Sequence, residues 1–276
     1  MRLVAWNCRS GFHRKLEALR ALAPDVAVIP ECCSLEVLAR KAPDLAPTSA
    51  VWIGTNPNKG LGVFSFGAYR LVQDAAYDPS ISFALPVRVT SPGAREFHLV
   101  ALWAHHGLAG RTMSVLGPTL QALSVYEPFL QARPSIVAGD LNNHIRWDRA
   151  GKAWNHANAV AAFERLGFVS AYHVFQGLAQ GAEQHPTFYW RTRSVDGPTY
   201  HIDYAFIPQS SASLMKSVAI GSRDDWIATG LSDHAPLILD FAPSFGEQPA
   251  TAEVTSTKVP RQRRQQPSGP PDSGHT

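Results

Sequence analysis

The stretch Ser135-Ile136-Val137-Ala138-Gly139-Asp140-Leu141-Asn142-Asn143-His144 constrains the fold more than any other. Its apolar run is short, follows Pro134 and is rich in β-branched residues, so it reads as a buried strand. Gly139 lets the backbone turn or come close to a neighbour. Asp140 and Asn142 stand two apart and share one face of an extended chain. A carboxylate and an amide at the end of a buried strand are poor core residues. They are suited to holding a metal ion or aligning a water. Taken alone, the same residues also fit an Asx turn that closes a strand. The other strand ends decide between these readings.

Those ends follow one pattern. Arg2-Leu3-Val4-Ala5-Trp6-Asn7 is a strand finishing on an amide. Arg14 to Ala23 has helical period, with Leu16, Leu19, Leu22 and Ala23 on one face, and Pro24-Asp25 stops it. Val26-Ala27-Val28-Ile29 is a second buried strand, running into Pro30-Glu31. This βαβ unit makes the two strands parallel neighbours. Asn7 and Glu31 then emerge side by side at strand carboxyl ends, where open α/β sheets hold ligands. A glutamate after an apolar strand needs a partner, and a cation is the simplest one. Phe97 to Ala104 is another strand, ending in His105-His106-Gly107. Tyr200 to Pro208 alternates and then runs apolar, carrying Asp203 in its middle. Leu231-Ser232-Asp233-His234-Ala235-Pro236 leads into the strand Leu237–Phe241. Asp-His at a strand entrance, with an aspartate buried elsewhere, is an arrangement that orients and charges an imidazole.

The segments between are ordinary. Residues 50–88 hold short apolar runs, among them Ile81-Ser82-Phe83-Ala84-Leu85, broken by Gly, Pro and Asn, as in antiparallel hairpins. A helix is expected from about Thr119 to Ala132, and another over Ala153–Leu166 with Gly167 as its stop. Residues 143–152 form a polar loop around Trp147. Phe168–Phe175 reads as a strand, 176–186 as a surface loop, Thr187–Trp190 as a short rim strand and Met215–Ile220 as a strand.

The 276 residues suffice for one large α/β domain or two small ones, and 45% apolar with 17% charged content suits a sizeable core. From Pro243 onward the composition turns to Pro, Ser, Thr, Gln and Gly, which reads as a disordered tail over 243–276 after a domain over 1–242. That tail holds four basic and three acidic residues, so the body keeps +2 of the net +3. Such a balance does not by itself indicate nucleic acid. Cys8, Cys32 and Cys33 do not make an extracellular disulfide framework, and no histidine or fourth cysteine stands at zinc-like spacing. They read as small buried thiols. The amino-terminal strand lacks a signal-peptide pattern and no apolar run reaches membrane-spanning length, so a cytoplasmic location is expected.

The ordered set Trp6-Asn7, Pro30-Glu31, Trp103-Ala104-His105, Gly139-Asp140-Leu141-Asn142, His201-Ile202-Asp203-Tyr204 and Ser232-Asp233-His234-Ala235-Pro236 resembles the endonuclease/exonuclease/phosphatase superfamily of DNase I-like metal-dependent phosphohydrolases. Each motif is weak alone; six in order, each at a strand end, make a strong signal. The resemblance covers residues 1 to about 242. It implies a four-layered α/β sandwich, with two mixed sheets face to face and helices outside. It implies metal binding by Glu31, Asn7 and Asp233. It implies catalytic roles for Asp140 and Asn142, which position water and phosphate, for Asp203 and the His234 it orients, and for His105. His106 next to it leaves that last assignment open by one position. Asn143, Trp147 and His106 are candidates for substrate binding. Magnesium is the expected ion, with manganese a substitute.

The chemistry implied is hydrolysis of a phosphoester, foremost a phosphodiester in nucleic acid, by a monomer. A phosphatase or phosphodiesterase acting on a phospholipid, inositol phosphate or nucleotide is the alternative. A binding module on the same scaffold is a further one, opposed by the intact acid and histidine set. Pro30-Glu31-Cys32 departs from the Gln-Glu-Thr of the abasic-site repair branch, which weakens a repair role. Trp147, Trp154, Tyr189, Trp190 and Trp226 fall in loops expected to ring the mouth, where rings can stack on bases or pack the loops.

Overall fold

A computed structural model describes residues 1–105, 116–190 and 197–246. Two six-stranded sheets organise these residues. The first runs in the order β13 (Met215–Ile220), β14 (Leu237–Phe241), β1 (Arg2–Ala5), β2 (Val26–Cys32), β4 (Lys59–Ser65), β3 (Ser49–Asn56). The second runs β5 (Arg70–Gln73), β6 (Ala84–Thr90), β7 (Glu96–Trp103), β8 (Ser135–Asp140), β12 (Asp203–Pro208), β9 (Phe168–Ser170). Each sheet is mixed, with one parallel pair: β1 beside β2 and β7 beside β8. A separate ribbon joins β10 (Phe188–Tyr189) to β11 (Thr199–Tyr200).

The strands read as unbroken apolar runs because both faces are covered. In β1, Leu3 and Ala5 enter the core between the sheets, while Val4 and Trp6 enter the outer layer. In β8, Ile136 and Ala138 face the same central core and Val137 the opposite layer. Helices α1 (Leu16–Ala21) and α2 (Leu35–Lys41) place Leu16, Leu19, Val37 and Leu38 on the first sheet's outer face. Helices α3 (Gly117–Val125), α4 (Glu127–Ala132) and α5 (His156–Arg165) cover the second sheet with Leu123, Leu130 and Phe163. The result is helix, sheet, sheet, helix. Phe245 packs edge-on against Phe97 at 5.3 Å and against Phe241 at 4.5 Å, so the core reaches past Phe241.

Two local expectations change. Phe168–Phe175 is a strand only to Ser170. Helix α6 (Ala171–Gln176) follows, burying Ala171 and Tyr172 and leaving Val174 and Phe175 exposed. Its residues are rich in aromatic and branched side chains, and the one-sided burial overrides that strand propensity. The strand expected over Ile81–Leu85 starts only at Ala84, since Phe83 has φ 48°, outside extended backbone. Ser34 caps α2 by accepting from Val37 N at 3.4 Å.

Gly139 is required where it stands. Its φ is +143°, and a Cβ there would lie 1.9 Å from the Leu102 carbonyl oxygen of the parallel neighbour. Gly139→Ala should cost about 3 kcal/mol or more, adding backbone strain to overpacking. A denaturant midpoint unchanged from the wild type would show that the β7–β8 approach yields.

Candidate active site

The polar strand ends converge on one end of the two sheets. Asp140 closes β8 and Asp203 opens β12, and the two are directly paired across the antiparallel ladder. Asn7 follows β1, Glu31 stands within β2, and His234 precedes β14. One sheet therefore contributes the two aspartates and the other contributes the amide, the glutamate and the imidazole.

Asp140 is fully buried. Its Oδ1 accepts from Asn142 N at 2.7 Å; its Oδ2 accepts from Asn7 Nδ2 at 2.9 Å and Asn142 Nδ2 at 3.1 Å. Asn142 adopts φ 48°, a left-handed turn that asparagine tolerates, and its amide also donates to the Ala104 carbonyl at 3.0 Å. Asn7 Nδ2 donates in addition to Glu31 Oε1 at 3.3 Å, so one amide bridges two carboxylates. Glu31 sits at φ 61° where the β2–β4 register shifts. That bulge re-aims its side chain, a common device beside active sites. Its other oxygen meets Lys59 Nζ at 3.1 Å.

The histidine is held from three sides. Its Nδ1 lies 2.8 Å from Asp203 Oδ2, its backbone N donates to Ser232 Oγ at 3.1 Å, and its carbonyl accepts from Trp6 Nε1 at 2.9 Å. Ser232 Oγ donates to the Asn7 carbonyl at 2.7 Å, tying the histidine segment to β1. Thr187 Oγ1 accepts from the backbone N of both Ile202 and Asp203 at 3.0 Å. The Phe188 ring lies 4.8 Å from the imidazole.

Charge within this buried group shifts both partners. Burial, then the Asp203 charge, pushes Asp140 up to about 7 against the pull of His234 and its donors. Burial alone would lower His234, but Asp203, Asp140 and Asp233 together raise it to about 9. Two carboxylates thus face one imidazole. Asp203 Oδ1 is buried with no hydrogen-bond partner among the described residues. Asp140, Asp203 and His234 can present ligand atoms within 4.8 Å of one another. The ligand atoms here and at Glu31 are carboxylate oxygens with one imidazole nitrogen, so the residues fit a hard divalent cation.

The remaining candidates are placed less centrally. Asp233 is paired with Arg9, Oδ2 to Nε at 3.3 Å. His105 is exposed at the end of β7, its ring 4.7 Å from Trp103. Asn143 adjoins Asn142 and has a buried Oδ1 with no hydrogen-bond partner among the described residues. Trp147 is exposed and packs against Tyr200 at 4.6 Å. His106 lies outside the described residues. Trp226 does not ring the mouth; it is buried, edge-on to Trp6 at 4.8 Å. Trp154 and Trp190 are exposed.

Sequence reasoning missed Lys59, Thr187, Phe188 and Glu183. The first, in β4, meets Glu31 only through the β2–β4 pairing. Glu183 accepts from His144 at 3.3 Å and His173 at 3.0 Å, fastening the loop after Asn142 to α6. Those two bonds and the Gly181 N–H overcome burial and hold its carboxyl well below the usual range. The Gly- and Gln-rich context of Glu183 gave no signal for this.

No family model and no curated protein sequence matches the chain. Solved structures do match. An AP endonuclease from Archaeoglobus fulgidus superposes at TM-score 0.64 with 17% identity, covering 87% of this chain and 99% of that one. The 3′ phosphatase NExo from Neisseria, solved with a product DNA hairpin, gives 0.61 and 15% over 87% of this chain and 99% of its own. The catalytic domain of APE2 from Xenopus laevis gives 0.62 and 13% over 87% and 91%. The chain therefore has the four-layered DNase I-like α/β sandwich fold of these structures.

Burial holds His201 down at about 4 although it bonds the His185 carbonyl at 2.9 Å. A histidine lowered on folding takes up its proton more readily unfolded. His201 alone should remove about 3 kcal/mol of stability as pH drops from about 6.5 to about 4, opposed over the same window by Asp140, which takes up its proton more readily folded. Urea titrations of the wild type and His201→Gln test this: the difference between the two should shift by that amount in the variant's favour. An equally steep slope in the variant would place the proton uptake elsewhere.

Proposed function

We propose that the chain is a divalent-metal-dependent phosphodiesterase acting on nucleic acid. The observation that carries this is the buried Asp203–His234 pair facing Asp140 at one sheet end. The fold shared with AP endonucleases and NExo supports a nuclease within that chemistry. The absence of Gln-Glu-Thr around Glu31 argues against abasic-site repair, and the near-neutral body against a processive duplex binder.

Glu31 and Asn7, with Asp233 beside them, would hold magnesium or, in its place, manganese. When bound, such an ion screens the phosphate charge and stabilises a leaving alkoxide. The protein's own groups divide the proton work. Asp140, raised towards neutrality, is suited to take a proton from the attacking water. His234, raised above its ordinary value, keeps a proton to donate to a phosphoryl oxygen. Asn142 fixes the orientation of Asp140. The water oxygen bonds to phosphorus, one ester P–O bond breaks, and the departing oxygen is protonated from solvent, to which Asp140 returns the proton it took from the water.

Hydrolysis of single- and double-stranded DNA, RNA and bis-p-nitrophenyl phosphate with Mg²⁺ or Mn²⁺ tests the reading. His234→Ala should lose roughly 10²–10⁴-fold in kcat, the scale of a positioned acid or base. Asp203→Asn should lose less, because the imidazole remains but is poorly held. The double change should cost little beyond His234→Ala, since groups acting as a unit are not additive. Wild-type turnover in His234→Ala would remove the mechanism.

A further inference from the structure

Beside the acidic centre lies a cavity of about 460 Å³, walled by β3, β4, the segment 77–83 and the end of β7. That volume is in the range of small-ligand sites. We infer that this cavity is a base subsite, taking the unpaired nucleobase of the nucleotide whose phosphate is attacked. The inference rests on the phosphodiesterase reading and adds the kind of nucleic acid recognised.

The lining sets the rings of Tyr77, Phe83, Trp103 and His105 beside the aliphatic Ile53, Pro79 and Ile81. Phe83 and Trp103 lie 4.4 Å apart with planes at 46°, and His105 follows at 4.7 Å from Trp103. Tyr77 also lines the cavity. Ring faces suit a flat π-system, which every base offers. Phe83, at φ 48°, holds a conformation rarely adopted by a bulky residue, and such strain clusters at functional sites.

Charge links the cavity to the chemistry. Lys59 lines it, lies 5.3 Å from the Trp103 ring and stands 3.1 Å from Glu31. The one ammonium group thus connects the aromatic wall to the carboxylate proposed to hold the ion. A phosphate attached to a base in the cavity would meet Lys59 and the acidic centre together. A base can enter only when it is out of a duplex stack. The substrates are therefore single strands, frayed ends or extrahelical nucleotides.

The test is calorimetric binding of thymidine 5′-monophosphate and 2-deoxyribose 5-phosphate, in Mg²⁺, to the full chain. The wild type should prefer the nucleotide by roughly 10–100-fold, the scale of one stacked base. Tyr77→Ala removes a ring and Ser82→Trp fills the space; each should erase most of the preference, with folding checked by melting. Equal affinities for the two ligands in the wild type would overturn the inference, as would a preference untouched by either folded variant. Hydrolysis of phosphodiesters without base preference would leave the enzyme and remove the subsite. Base preference without hydrolysis would leave the subsite and remove the enzyme.

Discussion

The buried carboxylate of Asp140 is the constraint on which the site depends. A carboxylate removed from water is costly unless donors surround it. Here they come from Asn7 on one sheet and from Asn142 in the loop after its own strand. The Asn7 contact joins the two sheets at the end where the polar strand ends converge. Gly139 is part of the same solution, because only a residue without Cβ brings β8 this close to the Leu102 carbonyl. Packing and function are thus tied to one strand end.

Around that point the charges are arranged in pairs that differ in permanence. Asp203 with His234 is enclosed and short, so the imidazole has a fixed orientation. Glu31 with Lys59 and Asp233 with Arg9 lie nearer solvent, and their partners are flexible side chains. Exposed ion pairs of this kind contribute little to stability. Glu31 and Asp233, proposed to meet a metal ion, are therefore held less firmly than the aspartate–histidine pair.

Much of this was legible in the sequence. Strands buried on both faces print as apolar runs, and a polar residue closing such a run stands out. That is why Asn7, Glu31, Asp140, Asp203 and His234 could be picked out and placed near one another. Position within a layer was also legible where the βαβ connection fixes the hand, as for β1 and β2. What stayed hidden depends on tertiary neighbours. Lys59 looks like a hairpin-turn lysine, and only the β2–β4 pairing brings it to Glu31. Residues 171–176 look extended, and only the burial of Ala171 and Tyr172 shows why they coil. Trp226 looked like a loop aromatic, yet Trp6 beneath it made it core.

The central claim is that Glu31 holds the ion that works with the Asp140–Asp203–His234 group. The most direct measurement is the rate of phosphodiester hydrolysis against Mg²⁺ concentration for the wild type and Glu31→Gln. The account predicts a curve displaced to higher Mg²⁺ in the variant, with part of the rate restored in excess metal. Superimposable curves for the two proteins would contradict it.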